Sequence, residues 1–217
     1  MFPVQFLTTD LPTYTHVQQV KDACEQGLKW IQYRTKNTPL EQWIDTAKEI
    51  RAITKAYNAV FIVNDNPEVA EKSDADGLHI GKEDAAISLC RKRFSNKILG
   101  YSCNHIDDVI YAQQEGASYA GIGPYRFTTT RQKLNPILGA ELLKKIIVDY
   151  KQNHLKIPLV AIGGIELNDI ESLCKIGIQH VALSSFIVKA LLTHQYESIT
   201  QVLDTFKKYN QHETKLS

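Results

Sequence analysis

Short apolar strings rich in Val, Ile and Tyr recur along the chain, each followed by a stretch whose apolar positions return every three or four residues. The strings fall at Val4–Leu7, Trp30–Tyr33, Val60–Val63, Gly77–Ile80, Ile98–Tyr101, Tyr119–Gly123, Pro158–Ile162 and His180–Leu183. Nearly continuous apolar runs of this length are what parallel strands buried on both faces require. The stretches between them read as amphipathic helices. Over 40–57, Trp43, Ile44, Ala47, Ile50 and Ile53 share one stripe opposite charged positions, with Pro39 suited to the first turn and Thr38 to the cap. Leu142, Leu143, Ile146 and Ile147 mark a second helix, and 168–175 a third that Gly177 would end in the left-handed conformation. Ile199, Val202, Leu203 and Phe206 give the last stripe.

Eight alternations of strand and helix predict an α/β protein, a (β/α)8 TIM barrel near the lower size limit of that fold, as a single domain over 1–217. Alternation alone does not count barrel closure, so a doubly wound open sheet stays as the alternative. Composition agrees with a folded chain: 43% of the 217 residues are hydrophobic and 23% charged. Twenty-five Lys and Arg against 24 Asp and Glu leave a formal charge of +1, which excludes a bulk electrostatic partner such as duplex nucleic acid or an anionic membrane. Any anion must therefore be held by a local arrangement. The four cysteines, Cys24, Cys90, Cys103 and Cys174, are far apart and signal neither a disulfide framework nor a zinc site. No apolar run approaches the roughly 18 residues of a membrane span. Met1–Asp10 has no basic region leading into an apolar one, so a cytoplasmic protein is expected. The sequence leaves a homo-oligomer open.

A barrel collects its chemistry where strands end and loops begin. After the second strand come Gln32-Tyr33-Arg34-Thr35-Lys36, whose alternation sends Gln32, Arg34 and Lys36 to one side. Two cations and an amide there suit a phosphate-rich ligand. Asn64-Asp65 follow the third strand and Asp84 the fourth. Two carboxylates on adjacent strand ends beside an anion site suggest Mg2+, which takes few protein carboxylates and completes its shell with water and phosphate oxygens. The simpler readings are an Asx turn before Pro67 for Asp65 and a helix N-cap for Asp84. His79 reads as a neutral imidazole pointing into the barrel. The fifth strand ends at Ser102. The sixth leads into the long 124–139 interval, with hydroxyls at Thr128, Thr129 and Thr130 and a guanidinium at Arg131. Gly163-Gly164 after the seventh strand and Ser184-Ser185 after the eighth make a backbone phosphate cup. Two anion sites on one mouth suit a pair of ligands: a diphosphate with magnesium, opposite a monophosphate.

Taken in order, Gln32–Lys36, Asn64-Asp65, Ala75–Gly81 with Asp84, Gly100-Tyr101-Ser102, Gly123-Pro124 with the threonine loop, Ala161–Ile165 and Ser184-Ser185 resemble the thiamine phosphate synthase family. The resemblance runs from the first strand to about Phe186. It implies condensation of 4-amino-5-hydroxymethyl-2-methylpyrimidine diphosphate with 4-methyl-5-hydroxyethylthiazole phosphate, or its carboxylated form, giving thiamine phosphate and diphosphate. It further implies that Gln32, Tyr33, Arg34, Thr35, Lys36, Asn64, Ser102 and Arg131 bind the pyrimidine diphosphate. Asp65 and Asp84 would ligate magnesium, and Thr128, Thr129, Thr130, Gly164, Ser184 and Ser185 would bind the thiazole phosphate. Arg34, Lys36, Asp65, Asp84, Ser102 and Arg131 would carry the chemistry.

The chain departs from the family pattern in three places. Arg131 stands for the usual lysine, Thr35 for the usual acidic residue and is expected to point away from the site, and Tyr125-Arg126-Phe127 for a more apolar lead, with Arg126 expected to face solvent. The alternatives are a thiazole tautomerase-like homologue, which would need an acid or base where Pro124 stands, and a non-catalytic barrel that binds phosphate ligands.

Overall fold

A computed structural model of the chain describes residues 1–127 and 137–213. Eight parallel strands close into a barrel in sequence order. They are β1 (Val4–Leu7), β2 (Trp30–Tyr33), β3 (Val60–Asn64), β4 (Gly77–Ile80), β5 (Ile98–Cys103), β6 (Tyr119–Ile122), β7 (Leu159–Ile162) and β8 (His180–Leu183). β8 pairs back onto β1 through Val4–Val181 and Phe6–Leu183, which removes both sheet edges and rules out the open sheet. The expected strands are all present, with ends displaced by at most two residues.

The helices are α1 (His16–Glu25), α2 (Leu40–Ala56), α3 (Pro67–Lys72), α4 (Ile87–Arg93), α5 (Ile106–Gln114), α6 (Gly139–Gln152), α7 (Leu167–Ile176), α8 (Ser185–Leu192) and α9 (Tyr196–Glu213). α7 ends at Gly177 with φ 100°, as its position predicts. α2 starts at Leu40, as expected, but Pro39 is its N-cap rather than a first-turn residue. Thr38 does not cap it, because its hydroxyl meets that of Thr35 at 2.6 Å.

Side-chain alternation divides each strand between two cores. Phe6, Ile31, Tyr33, Phe61, Val63, Leu78 and Ile80 face the helices in the main cluster. Leu7, Trp30, Ile62, Tyr119, Val160 and Ala182 form a second cluster inside the barrel. The same alternation turns Gln5, Gln32, Asn64 and His79 inward, all buried. The barrel is thus apolar around its wall and increasingly polar toward the carboxyl ends of its strands.

Candidate active site

A cavity of about 370 Å³ opens at those carboxyl ends. Its wall includes Gln32 and Arg34 from β2, Asn64 and Asp65 from β3, Asp84 after β4, Ser102 on β5, Gly164 after β7, and Ser184 and Ser185 after β8. Nine residues expected at the site therefore share one mouth. Tyr33 and Thr35 do not line it. Tyr33 alternates outward and packs edge-on against His16, ring centroids 4.9 Å apart. Thr35 also points away, as expected, and donates its hydroxyl to Asp10 at 2.6 Å. Lys36 lies beyond the strand, where alternation lapses, and is not part of the wall. Its ammonium is held below the ordinary lysine value by partial desolvation and by the Arg34 charge nearby. Thr128, Thr129, Thr130 and Arg131 lie outside the described residues.

The loop carrying Arg34 and Lys36 is braced by a residue the sequence did not single out. Asp10, after β1, accepts from the Thr35 hydroxyl and, at 3.0 Å, from the Lys36 N–H, and sits 2.9 Å from His16 Nε2. Partial burial works to raise the Asp10 pKa, but these bonds outweigh it and hold the carboxyl below its usual value. Burial likewise pushes the His16 imidazole below its ordinary value. Thr8 adds a second tie, its Oγ1 accepting the Arg34 N–H at 3.1 Å.

On the same side of the mouth, neither the Asp65 nor the Asp84 carboxylate is used up as a helix cap. Asn66, not Asp65, caps α3, its side chain accepting from the N–H groups of Glu68 and Val69 at 3.0 and 3.1 Å. Asp65 itself adopts φ 64°, the left-handed region that an aspartate tolerates better than most side chains. α4 is capped by Ala86, while Asp84 folds its own loop by accepting the Gly81 N–H at 2.6 Å. Desolvation in the recessed mouth, then the Asp84 carboxylate beside it, push Asp65 up to about 7, against the opposing pull of Arg34. Among the described residues no group of three or more His, Cys, Asp or Glu is placed to hold a metal. Two adjoining carboxylates with excess negative charge nevertheless fit a hard cation that takes its remaining ligands from water and phosphate.

The β7–β8 side of the mouth is built largely from backbone. Gly163 and Gly164 have φ of 99° and 64°. A Cβ at Gly164 would fall 2.8 Å from the Arg126 Cβ. Glycine is required on both counts. Arg126 is exposed, as expected, but it is tethered rather than loose. It forks onto both oxygens of Asp169, which is 6% exposed, donates to the Gly164 carbonyl at 3.2 Å, and lies over the Tyr125 ring. This pins the loop after β6 to the loop after β7. Ser185 opens α8, and it lines the cavity together with the N-cap residue Ser184.

Residues 5–187 match the family model described as thiamine monophosphate synthase. The chain belongs to the thiamine monophosphate synthase family. It is 39% identical to a thiamine-phosphate synthase of Phocaeicola vulgatus over 188 residues, which cover 86% of this chain and 90% of that protein. It is 37% identical to one of Bacteroides thetaiotaomicron over 191 residues, covering 88% and 91%. Among solved structures, the thiamine phosphate pyrophosphorylase of Pyrococcus furiosus superposes with a TM-score of 0.78 at 30% identity, covering 93% of this chain and 96% of that one. Within this family member, Pro124 lines the cavity where a tautomerase-like homologue would need an acid or base. His105 stands exposed as the N-cap of α5, outside the cavity wall.

Among the described residues no helix is long and apolar enough to cross a membrane. Several contributors carried no signal in the sequence: Asp10 and Thr8 behind the β2 loop, Asn104, which donates to the Gly123 carbonyl, and Asp169 beneath Arg126.

Proposed function

We propose that this chain is a magnesium-dependent transferase that joins the pyrimidinylmethyl group of 4-amino-5-hydroxymethyl-2-methylpyrimidine diphosphate to 4-methyl-5-hydroxyethylthiazole phosphate, or its carboxylated form. The products are thiamine phosphate and diphosphate, together with carbon dioxide when the acceptor is the carboxylated thiazole. The observation that carries the reading is one cavity with a cationic and carboxylate-lined side at β2–β4 and a glycine–serine cup at β7–β8. Family membership supports it independently.

On this reading Arg34, Lys36, Asn64 and Arg131 hold the diphosphate, with Gln32 and Ser102 toward the pyrimidine side. Tyr33 and Thr35 contribute as parts of the strand end that carries Arg34 and Lys36. Asp65 and Asp84 hold Mg2+, which supplies neutralisation of diphosphate charge when bound. Thr128–Thr130, Gly164, Ser184 and Ser185 hold the thiazole phosphate through hydroxyls and backbone N–H groups.

The aminopyrimidine ring delocalises positive charge at its exocyclic methylene. The C–O bond therefore breaks with its electron pair leaving on the diphosphate oxygen, and the thiazole nitrogen then donates its lone pair to form the C–N bond. Arg34, Lys36 and Arg131 stabilise the leaving charge, each such contact being worth about 3–4 kcal/mol of barrier. Holding both rings in one recess supplies proximity. The bond-forming step needs no strong general base. Partners are small molecules in the cytoplasm, with neither nucleic acid nor membrane involved, in keeping with the near-neutral charge.

Titration calorimetry tests the two-site arrangement. Inorganic diphosphate with Mg2+ is expected to bind while thiazole phosphate is already bound. Mutual exclusion of the two would overturn it.

A further inference from the structure

Beneath the cavity a chain of polar side chains crosses the barrel interior, and the chemistry above uses only its two ends. Gln32 Nε2 donates to Gln5 Oε1 at 3.0 Å, and Gln5 Nε2 donates to the Tyr119 phenol oxygen at 3.1 Å. That phenol oxygen lies 2.9 Å from His79 Nδ1, and His79 Nε2 lies 3.0 Å from Ser102 Oγ. Gln5, Gln32, His79 and Tyr119 are all buried, and Gln32, His79 and Ser102 border the cavity. The backbone is shaped around the crossing: a Cβ at Gly100 would fall 2.2 Å from the Tyr119 ring and 2.3 Å from His79 Nδ1.

Buried polar groups must each find a partner, so the bonds in such a chain run in one direction. The phenol oxygen accepts from Gln5, and the Gln32 amide is directed at it as well. Its own hydrogen is then given to His79 Nδ1, which must be bare. A neutral imidazole with bare Nδ1 carries its hydrogen on Nε2, and that hydrogen points at Ser102 Oγ. The serine hydroxyl, accepting there, keeps its single hydrogen for the cavity.

We propose that Tyr119 is a positioning residue that acts through His79 to make Ser102 a hydrogen-bond donor toward an acceptor atom of the bound pyrimidine diphosphate. The proposal rests on the functional reading above and involves no change of protonation. Without the phenol, His79 can carry its hydrogen on Nδ1. The bare Nε2 then takes the Ser102 hydrogen, and the serine presents only lone pairs to the ligand.

The test is the tautomer of His79 in the full-length, 15N-histidine-labelled protein, read from long-range 1H–15N spectra and assigned by loss of the signal in His79→Gln. The wild type is expected to show the Nε2–H form and Tyr119→Phe to shift toward Nδ1–H. In steady-state kinetics Tyr119→Phe is expected to lower kcat about tenfold with KM for both substrates nearly unchanged, a fraction of what loss of a direct donor costs. Added to Ser102→Ala, it should have no further effect, because it acts through that serine.

An Nδ1–H tautomer in the wild type would overturn the proposal, as would Tyr119→Phe and Ser102→Ala effects that multiply. The wild-type tautomer is read without Tyr119→Phe, so the proposal stays decidable if that variant fails to fold. A protein with the Nε2–H tautomer that made no thiamine phosphate would contradict the functional reading and leave the direction of the chain standing.

Discussion

Replacing Asp10 by alanine isolates the brace behind the Arg34–Lys36 loop. The carboxylate takes a hydrogen bond from the Thr35 hydroxyl at 2.6 Å and one from the Lys36 N–H at 3.0 Å, and meets His16 Nε2 at 2.9 Å. A bond to a charged group contributes roughly 1.5–3 kcal/mol when buried. The Asp10 side chain is 47% exposed, so water replaces much of what is lost and the sum falls to about 1–2 kcal/mol. The loss lands on the order of the loop proposed to bind the diphosphate, not on the barrel wall. With tenfold per 1.4 kcal/mol, KM for the pyrimidine diphosphate should rise about 5–30-fold. KM for the thiazole phosphate should stay near the wild-type value, and the unfolding midpoint should move little. Asp10→Asn, which keeps one acceptor, should fall between. The assay is diphosphate release with each substrate varied in turn. Unchanged KM for the pyrimidine diphosphate, or equal increases for both substrates, would refute the bracing role.

Other perturbations separate the two halves of the mouth. Asp65→Ala should cut diphosphate release by about 10²–10³ while leaving calorimetric affinity for thiazole phosphate essentially intact. Because Asp65 is pushed up to about 7, protons compete with Mg2+ below that pH, so the magnesium concentration needed for half-maximal rate should rise as pH falls from 7 toward 5 and level off above 7. The same shift has a stability consequence without magnesium. The folded chain keeps this proton to higher pH than the unfolded chain, so stability declines as pH rises from about 4 to about 7, and Asp65→Asn should remove that part of the slope in urea titrations. Gly164→Ala, strained at φ 64° and crowding Arg126, should raise KM for the thiazole phosphate about tenfold or more and spare the other substrate, as steady-state kinetics would show. Asp169→Ala removes the Arg126 fork and the bond from the Glu166 N–H at 2.8 Å, and should lower stability by about 2 kcal/mol in denaturant titrations.

Strand positions were legible because a barrel strand buried on both faces leaves an unbroken apolar run, and the mouth was legible because its polar residues directly follow those runs. Gln32 and Arg34 reached the cavity wall by simple alternation. Lys36 did not, because β2 ends at Tyr33 and the period of two stops with it. Asp10 was illegible for a different reason. Its partners lie 25 and 26 residues away across a parallel pair, and nothing local distinguishes it from any polar loop residue. The interior chain through Gln5, Tyr119 and His79 likewise depends on three strands closing around one axis. Arg126 is exposed, as its surroundings in the sequence suggest, but its fork onto Asp169, 43 residues later in the first turn of α7, has no local signature. The roles expected of Thr128, Thr129, Thr130 and Arg131 fall outside the described residues.

The measurement that bears most directly on the account is product analysis of the purified chain supplied with both precursors and Mg2+. The account predicts thiamine phosphate and diphosphate in equal amounts, with neither formed when either precursor or magnesium is withheld. Isomerised thiazole without diphosphate release, or tight binding of both precursors with no turnover, would contradict it.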